Sequence, residues 1–458
     1  MVVVALVVCQ LVMLIAACYG LYQAFMALSL TPWLTPVPTD NKPQHRFAIL
    51  IFAKDEAQVI ASLVQSLKGQ AYPARLFDVF VTADNCSDAT AAIAAENGAI
   101  VWERHDTERV GKGYALHWFF DRFSAEYAGQ YDACVVFDAD NVVETGFLAA
   151  MNRQLNQGAD IALGYRMGKN PTSSWVAGVT TLFWLLQTRF SNRSRVRRGL
   201  PCTSVGGTGF MFSLDVLPDG QWNTSSTSED IEFTLNAIAD GRRITLATDA
   251  VFYDEQPLTL AQSIRQRYRW TVGAMQSAGL CLPKLWRSTK AGRLSKFDAV
   301  MFCVGIPIAA VNTIVGPVAT VLTGILTGQW VVVLVMSVAI MALCYLITGV
   351  IGYLALRLER ASWPGAWKAV VGFPFFMLTW VLLYVVVLFH RSTTWHQIPH
   401  VEALSLDQIV TRRAAITRFA NSETSDPTRH TSQHPIMGEV LTHRSRPNTS
   451  RSVGVNPD

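Results

Sequence analysis

Val135-Val136-Phe137-Asp138-Ala139-Asp140-Asn141 decides the fold: an apolar run of strand length ends directly in two carboxylates one residue apart. In extended backbone, positions i and i+2 face the same side, so Asp138 and Asp140 point together. Hard oxygen ligands of this kind suit Mg²⁺ or Mn²⁺, ions that neutralise a diphosphate group. A solvated turn at a strand end produces the same letters, but the buried run ahead of the pair favours a site. Working outward, Arg46–Phe52, Asp78–Ala83 and Ala133–Phe137 read as strands. Helical patterns at about 56–68, 88–97, 111–127 and 144–157 separate them. This alternation predicts an α/β domain over residues 46–257 with a mostly parallel, Rossmann-like sheet, and ligands at the carboxyl ends of its strands.

The flanks are apolar. The chain of 458 residues is 50% hydrophobic and 16% charged, more apolar than a wholly soluble protein of this length needs. Residues 2–28 carry no charged side chain, enough to cross a hydrocarbon core. Lys42, Arg46 and Lys54 follow the segment, which argues for a retained anchor (1–30) with its far end in the cytosol rather than a cleaved leader. Residues 31–45 read as a linker. Further spans fall at roughly 301–326, 330–356 and 367–389, within a membrane region 301–390 of about three helices. Four crossings would leave the tail from His390 outside. Pro307 and Pro317 open the alternative that 301–326 is re-entrant, which would bring the tail inside. Residues 174–190, followed by Arg193, Arg195, Arg197 and Arg198, suit a helix at the membrane surface; a buried helix with a solvated basic loop is the alternative. A second interfacial helix starts near Leu258, in a region 258–300. Residues 391–458 read as a polar, disordered tail. The net charge of +4 and eight scattered cysteines without a CxxC pair support neither nucleic-acid binding nor a disulfide or zinc framework.

Three further motifs carry chemistry. The strand ending Thr82-Ala83-Asp84 places a second acid at the sheet edge, in reach of a base or ribose, whereas Asp88 reads as a helix cap. Ser228-Glu229-Asp230 precedes a helical run. Capping and the helix dipole explain it, and a carboxylate there can also serve as a general base. Gln266, Arg269 and Trp270 stand at i, i+3 and i+4, hence on one helix face. Arg269 could grip phosphate oxygens and Trp270 offers a flat surface to a sugar ring. A basic helix on anionic lipid, using Arg265, Arg267 and Arg269, is the competing explanation.

In this order, Asp84, Asp138-Ala139-Asp140, Ser228-Glu229-Asp230 and Gln266-x-x-Arg269-Trp270 resemble the D, DxD, [TS]ED, QxxRW signature of family 2 glycosyltransferases, which include cellulose, chitin and hyaluronan synthases. The resemblance implies a GT-A fold and inverting single displacement from a nucleotide sugar, with a UDP-sugar as the family expectation. It implies Asp230 as base beside Glu229, Asp138 and Asp140 as ligands of Mg²⁺ or Mn²⁺, and Asp84, Gln266 and Arg269 as donor contacts. Phe52-Ala53-Lys54-Asp55-Glu56 resembles a nucleotide-contacting loop, with Lys54 where arginine is common, and implies Asp55 and Glu56 as further donor contacts. Val110-Gly111-Lys112-Gly113 resembles a loop whose Lys112 approaches the donor. Gly206-Gly207-Thr208-Gly209-Phe210 resembles a loop bordering the acceptor, implying Gly207 and Thr208 there with Trp270. The expected partners are a nucleotide-sugar donor, a glycan or lipid acceptor and membrane lipids, with no nucleic acid; a homo-oligomer or accessory subunit stays open. The expected place is the cell membrane, multi-pass, with the catalytic domain in the cytosol. A processive polysaccharide synthase is the leading expectation and single addition to a lipid the alternative. A transporter or non-catalytic sugar-binding membrane protein would show charge inside 301–356, where only polar residues such as Asn312 and Gln329 occur.

Overall fold

The computed structural model describes residues 1–28, 42–390 and 403–411. The strands are β1 Phe47–Ala53, β2 Phe77–Asp84, β3 Ile100–Arg104, β4 Ala133–Asp138, β5 Val142–Val143, β6 Ile161–Gly168, β7 Phe210–Ser213 and β8 Ile244–Asp254. The helices of the same region are α2 Ile60–Lys68, α3 Thr90–Glu96, α4 Lys112–Glu126, α5 Phe147–Asn156, α6 Trp175–Leu186, α7 Ser194–Arg197, α8 Glu229–Ala239 and α9 Leu260–Arg287. Preceding and following them are α1 Val2–Ala27, α10 Arg293–Thr327, α11 Trp330–Leu358 and α12 Ala366–Phe389.

The eight strands form one sheet in the order β3-β2-β1-β4-β7-β6-β8-β5. The expected parallel sheet holds for β3-β2-β1-β4, and β6 pairs β8 in parallel. The antiparallel strand β7 lies between these two groups, and β5 pairs β8 antiparallel, so the sheet is mixed. Alternation along β1 sends Ala48 and Leu50 to one face and Phe47, Ile49 and Ile51 to the other. The first face is covered by α4, α8 and α9 through an aromatic core that includes Phe119, Phe120, Trp222 and Phe233. The second is covered by α2 and α5, with Leu63, Leu67, Phe147 and Met151. The chain order reverses between β1 and β4, and the crevice at their carboxyl ends receives the motif residues.

Among the described residues, four helices, α1, α10, α11 and α12, are long and apolar enough to cross a membrane. The prolines do not divide the second apolar segment: α10 continues through Pro307 and Pro317 for 35 residues, so the re-entrant alternative is not what forms. Two buried ion pairs fasten these helices to the sheet domain. Asp298 of α10 accepts from Arg195 Nε at 2.8 Å and from Tyr22 of α1 at 2.6 Å. Glu359, just after α11, pairs with Arg189 at 3.0 Å and accepts from Tyr165 of β6.

Of the alternative, the buried helix holds for α6, but the basic stretch after it is not a solvated loop. Residues Gln187–Arg193 form a π-helical turn and α7 follows, with Arg193 and Arg195 buried. α6 itself, started by Ser174 accepting from the Ala177 N–H, packs Gly178 against Ala369 of α12. The tail also departs from expectation. Leu404 and Ile409 are buried in a cluster with Tyr165 and Tyr253, and 406–411 is helical, so this segment returns to the sheet domain. Trp395–His400, the rest of the tail and most of the 31–45 linker lie outside the described residues.

Candidate active site

A cavity of about 940 Å³ occupies the crevice and gathers the motifs from distant parts of the chain. Glu56 follows β1, Asp84 ends β2, Lys112 opens α4, and Asp138 and Asp140 follow β4. Glu229 and Asp230 form the first turn of α8, while α9 contributes Gln266, Arg269 and Trp270. Parallel register places Phe52 opposite both Thr82 and Asp138, so Asp84 and Asp138 share the carboxyl edge of the sheet.

Each acid on that edge meets a cation or an amide. Asp84 accepts from Arg104 at 2.6 Å, and Arg104 also reaches Asp106 at 3.0 Å. Burial raises the Asp84 carboxyl above its ordinary 3.8, opposed by the Arg104 guanidinium. Lys112 Nζ donates to Asp138 at 2.5 Å and to the Gly207 carbonyl at 2.7 Å. Burial acts to lower the Lys112 pKa, but the Asp138 and Glu229 carboxylates outweigh it and the net direction is up. Asp140 is buried and accepts from the Asn141 amide at 3.1 Å. Burial and then the neighbouring Asp230 push Glu229 up to about 7, with Lys112 opposing. Burial also raises Asp230, against the pull of the Ile231 N–H, Lys112 and Arg166.

Two glycine-dependent approaches shape the Asp230 side of the cavity. Gly206, Gly207 and Gly209 all have positive φ, and a Cβ on Gly207 would lie 3.7 Å from Asp230 Oδ2. A Cβ on Gly273 would come within 2.1 Å of Ser228 Oγ, so α9 packs onto the start of α8 only because this position is bare. Ser228 occupies the N-cap of α8 without a side-chain cap bond. α9 is started by a capping box in which the Gln262 N–H bonds Thr259 and the Gln262 side chain accepts from the Thr259 N–H.

Two expected site residues stand elsewhere. Asp55 lies at φ 52 and its carboxylate accepts from the Ser87 N–H at 2.6 Å; it does not line the cavity. Thr208 is buried, donates to Asn141 and accepts from the Asp138 N–H at 2.9 Å, so it braces the DxD turn instead of facing an acceptor. Arg267 does not serve the lipid surface either. It is buried between α9 and α12, donates to the Phe376 carbonyl at 3.0 Å and lies 4.0 Å over the Phe376 ring.

Residues outside the four motifs complete the site. Arg166 of β6 stacks on Trp184 at 3.9 Å, donates to the Gly206 carbonyl and faces Asp254 at 3.8 Å. Lys169 pairs with Glu255 at 2.8 Å and donates to the Asp140 carbonyl at 2.9 Å. Asp254 accepts from Asn141 at 2.8 Å. These charges sit at the ends of β6 and β8, and the polar run Asp254-Glu255-Gln256 closing an apolar strand was the available signal.

The donor chemistry fits a hard divalent cation: Asp138 and Asp140 offer oxygen ligands on the cavity wall, and 44% of the Asp138 side chain is exposed. A second group of metal-type ligands, Asp55, Cys86 and Asp88, lies together, but both carboxylates are engaged by Ser87, Thr90 and Ala57.

The fold is a GT-A-like mixed α/β sheet with the sheet-edge acids gathered in its crevice. The chain matches the glycosyl transferase family group 2 profile over residues 134–395 and the glycosyl transferase family 2 profile over residues 48–217. The first match covers more than half of the chain, and the protein belongs to the family 2 glycosyltransferases. It is 26% identical over 242 residues to the probable glycosyltransferase YdaM of Bacillus subtilis, covering 50% of this chain and 55% of that protein. It is 24% identical over 273 residues to a beta-monoglucosyldiacylglycerol synthase of Trichormus variabilis, covering 56% of this chain and 54% of that one. The chain thus spans about half the length of these curated relatives. The fold is similar to that of the mannosyltransferase PcManGT from Pyrobaculum calidifontis, solved with GDP-Man and Mn²⁺, with a TM-score of 0.53, 16% identity, and coverage of 83% of this chain and 98% of that one.

Proposed function

We propose that the protein transfers a hexose, with inversion, from a nucleoside diphosphate sugar to an acceptor hydroxyl presented from the membrane side. The observation that carries this reading is the single cavity in which the sheet-edge acids, Lys112, Asp230 and the Gln266/Arg269/Trp270 face meet Tyr19 of α1, Ile306 of α10 and Tyr384 of α12. Asp84 stands where a nucleoside would bind. Asp138 and Asp140 would hold Mg²⁺ or Mn²⁺, and a bound divalent ion neutralises charge on a diphosphate leaving group. Lys112 and Arg269 add fixed positive charge beside that group. Asp230 takes the proton of the attacking hydroxyl, and the resulting alkoxide displaces the nucleoside diphosphate at the anomeric carbon, so one glycosidic bond forms as one sugar–phosphate bond breaks. No covalent nucleophile is used.

Arg198 donates to the Phe25, Met26 and Leu28 carbonyls at the end of α1 and Arg293 opens α10, basic residues at the catalytic-side ends of apolar helices, the pattern expected of a cytosolic face in a multi-pass membrane protein. Both ends of α12 meet that side: Trp363 ahead of it joins the Tyr165 cluster, and the His390 carbonyl accepts from Tyr268 at 3.0 Å. With α12 lying along the membrane-facing side and α1, α10 and α11 crossing, the 403–411 segment, packed with Tyr165 and Tyr253, lies on the cytosolic side.

The test is product formation by the purified protein in nanodiscs with Mg²⁺ or Mn²⁺ and a panel of radiolabelled nucleotide sugars, beside Asp230→Asn. One donor is expected to give labelled product that the variant does not make. High-molecular-weight label identifies the processive reading and chloroform-soluble label the lipid reading; no turnover of any donor sinks the assignment.

A further inference from the structure

Resting on the glycosyltransferase reading, we infer that the acceptor is a membrane lipid with a hydroxyl-bearing head group, and that it enters sideways through a groove between α1, α6 and α12. This groove, about 270 Å³, lies outside the catalytic cavity, with Ala27 of α1, Leu186 of α6, Phe190 and Phe373 of α12 on its walls. It shares three side chains with that cavity: Phe183, Gln187 and Met377 face both spaces. Two of the helices that frame it, α1 and α12, are long and apolar enough to cross a membrane, and Ala27 is the last residue of α1, so the groove opens at the catalytic-side end of the apolar helices, where the occupant on hand is lipid.

The path inward is a run of rings. Phe183 meets Trp380 at 4.7 Å, Trp380 meets Trp270 at 6.2 Å, and Trp270 meets Trp184 at 5.6 Å, beneath Arg166 and the Gly206 loop. Apolar chain surface would lie on the groove walls. The amphipathic tryptophans would carry the head group over the partition, and its hydroxyl would arrive on the Asp230 side of the Gly207 turn. Farther along, the catalytic cavity borders Ile306 and Ala309 of α10 and Tyr384 of α12, uncharged side chains that suit the same chain. Gln23 and Arg195 close the other end of the groove; Arg195 is already bound to Asp298, so the groove presents no free anion-binding cation.

Ala27 borders the groove and not the catalytic cavity, so filling its space separates acceptor entry from donor chemistry. Ala27→Trp and Ala27→Ser are compared with the unaltered chain in nanodiscs of host polar lipids doped with diacylglycerol. Two signals are read with the active nucleotide sugar: label in chloroform-soluble product, and release of nucleoside diphosphate by water attack. Ala27→Trp is expected to cut lipid labelling by about tenfold or more while nucleotide release is retained, which also reports that the variant folds. Ala27→Ser adds no comparable bulk and keeps full labelling. Unchanged lipid labelling in Ala27→Trp overturns the portal. Label only in water-soluble polymer overturns the lipid acceptor while leaving the glycosyltransferase reading in place. Absence of nucleotide release with every donor overturns both.

Discussion

The two rims of the catalytic cavity are built from different physics, and two buried arginines show the contrast. On the sheet rim, Arg104 is locked between the Asp84 and Asp106 carboxylates. On the membrane rim, Arg267 is held by the Phe376 carbonyl and by the ring faces of Phe376 and Trp380 at 4.0 and 5.4 Å. Burial pushes the Arg267 guanidinium down to about 10. The sheet rim must accommodate a charged donor and so carries compensated charge, pre-oriented in a low-dielectric cleft. On the proposed reading the membrane rim takes an acceptor from an apolar phase; it offers aromatic surface, and the buried Arg267 does not line the cavity.

The sharpest test of this division is Asp230→Asn. Loss of the base should lower kcat by about 10²–10⁴-fold with donor binding retained, read by steady-state transfer and calorimetry with nucleoside diphosphate. A comparable loss of donor affinity would break the assignment of Asp230 to the acceptor step. Next in size, Arg104→Met leaves two acids without their cation and should cost about 3–5 kcal/mol of stability, whereas Arg267→Met should cost less. Thermal unfolding in detergent compares them; equal losses would mean that the two rims do not differ.

Arg166→Gln should then lower kcat by about tenfold with donor KM little changed, because Arg166 anchors the Gly206 loop against Asp230 and not the nucleotide. Arg166→Lys should recover little, since a lysine cannot both stack on Trp184 and bond Gly206. A donor KM effect instead would move Arg166 to the sheet rim. In pH profiles, Asp230 must be ionised to act. Its pKa is raised above the ordinary 3.8, so activity should fall with acidification at a higher pH than for an ordinary aspartate. Smallest of all, Asp55→Asn should change donor KM by less than about twofold, as its carboxylate is bonded to Ser87 and asparagine tolerates its left-handed φ.

Much of the sheet rim was legible because a strand that ends in an acid declares both its direction and its edge: Asp84 and Asp138 stand within a residue of the expected strand ends. Gln266, Arg269 and Trp270 were legible as one face because helical period alone brings i, i+3 and i+4 together, and all three line the cavity. Arg267 was misread, since its neighbours in sequence cannot say which helix packs on the opposite face. Asp55 and Thr208 were misread for a related reason: a polar residue in a site loop can face the ligand or brace the loop, and one rotamer separates these roles.

By itself, the sequence determined the alternating α/β order, the four apolar helices and the ordered acids of a glycosyltransferase, since these follow from local period, length and spacing. Only the tertiary structure decided that β7 breaks the parallel sheet, that Arg166, Lys169 and Asp254 brace the site, and that the 403–411 segment returns to β6 and β8. Each of these depends on which distant surfaces meet, and contact between residues far apart in the chain is set by packing of the whole core, which no local pattern encodes.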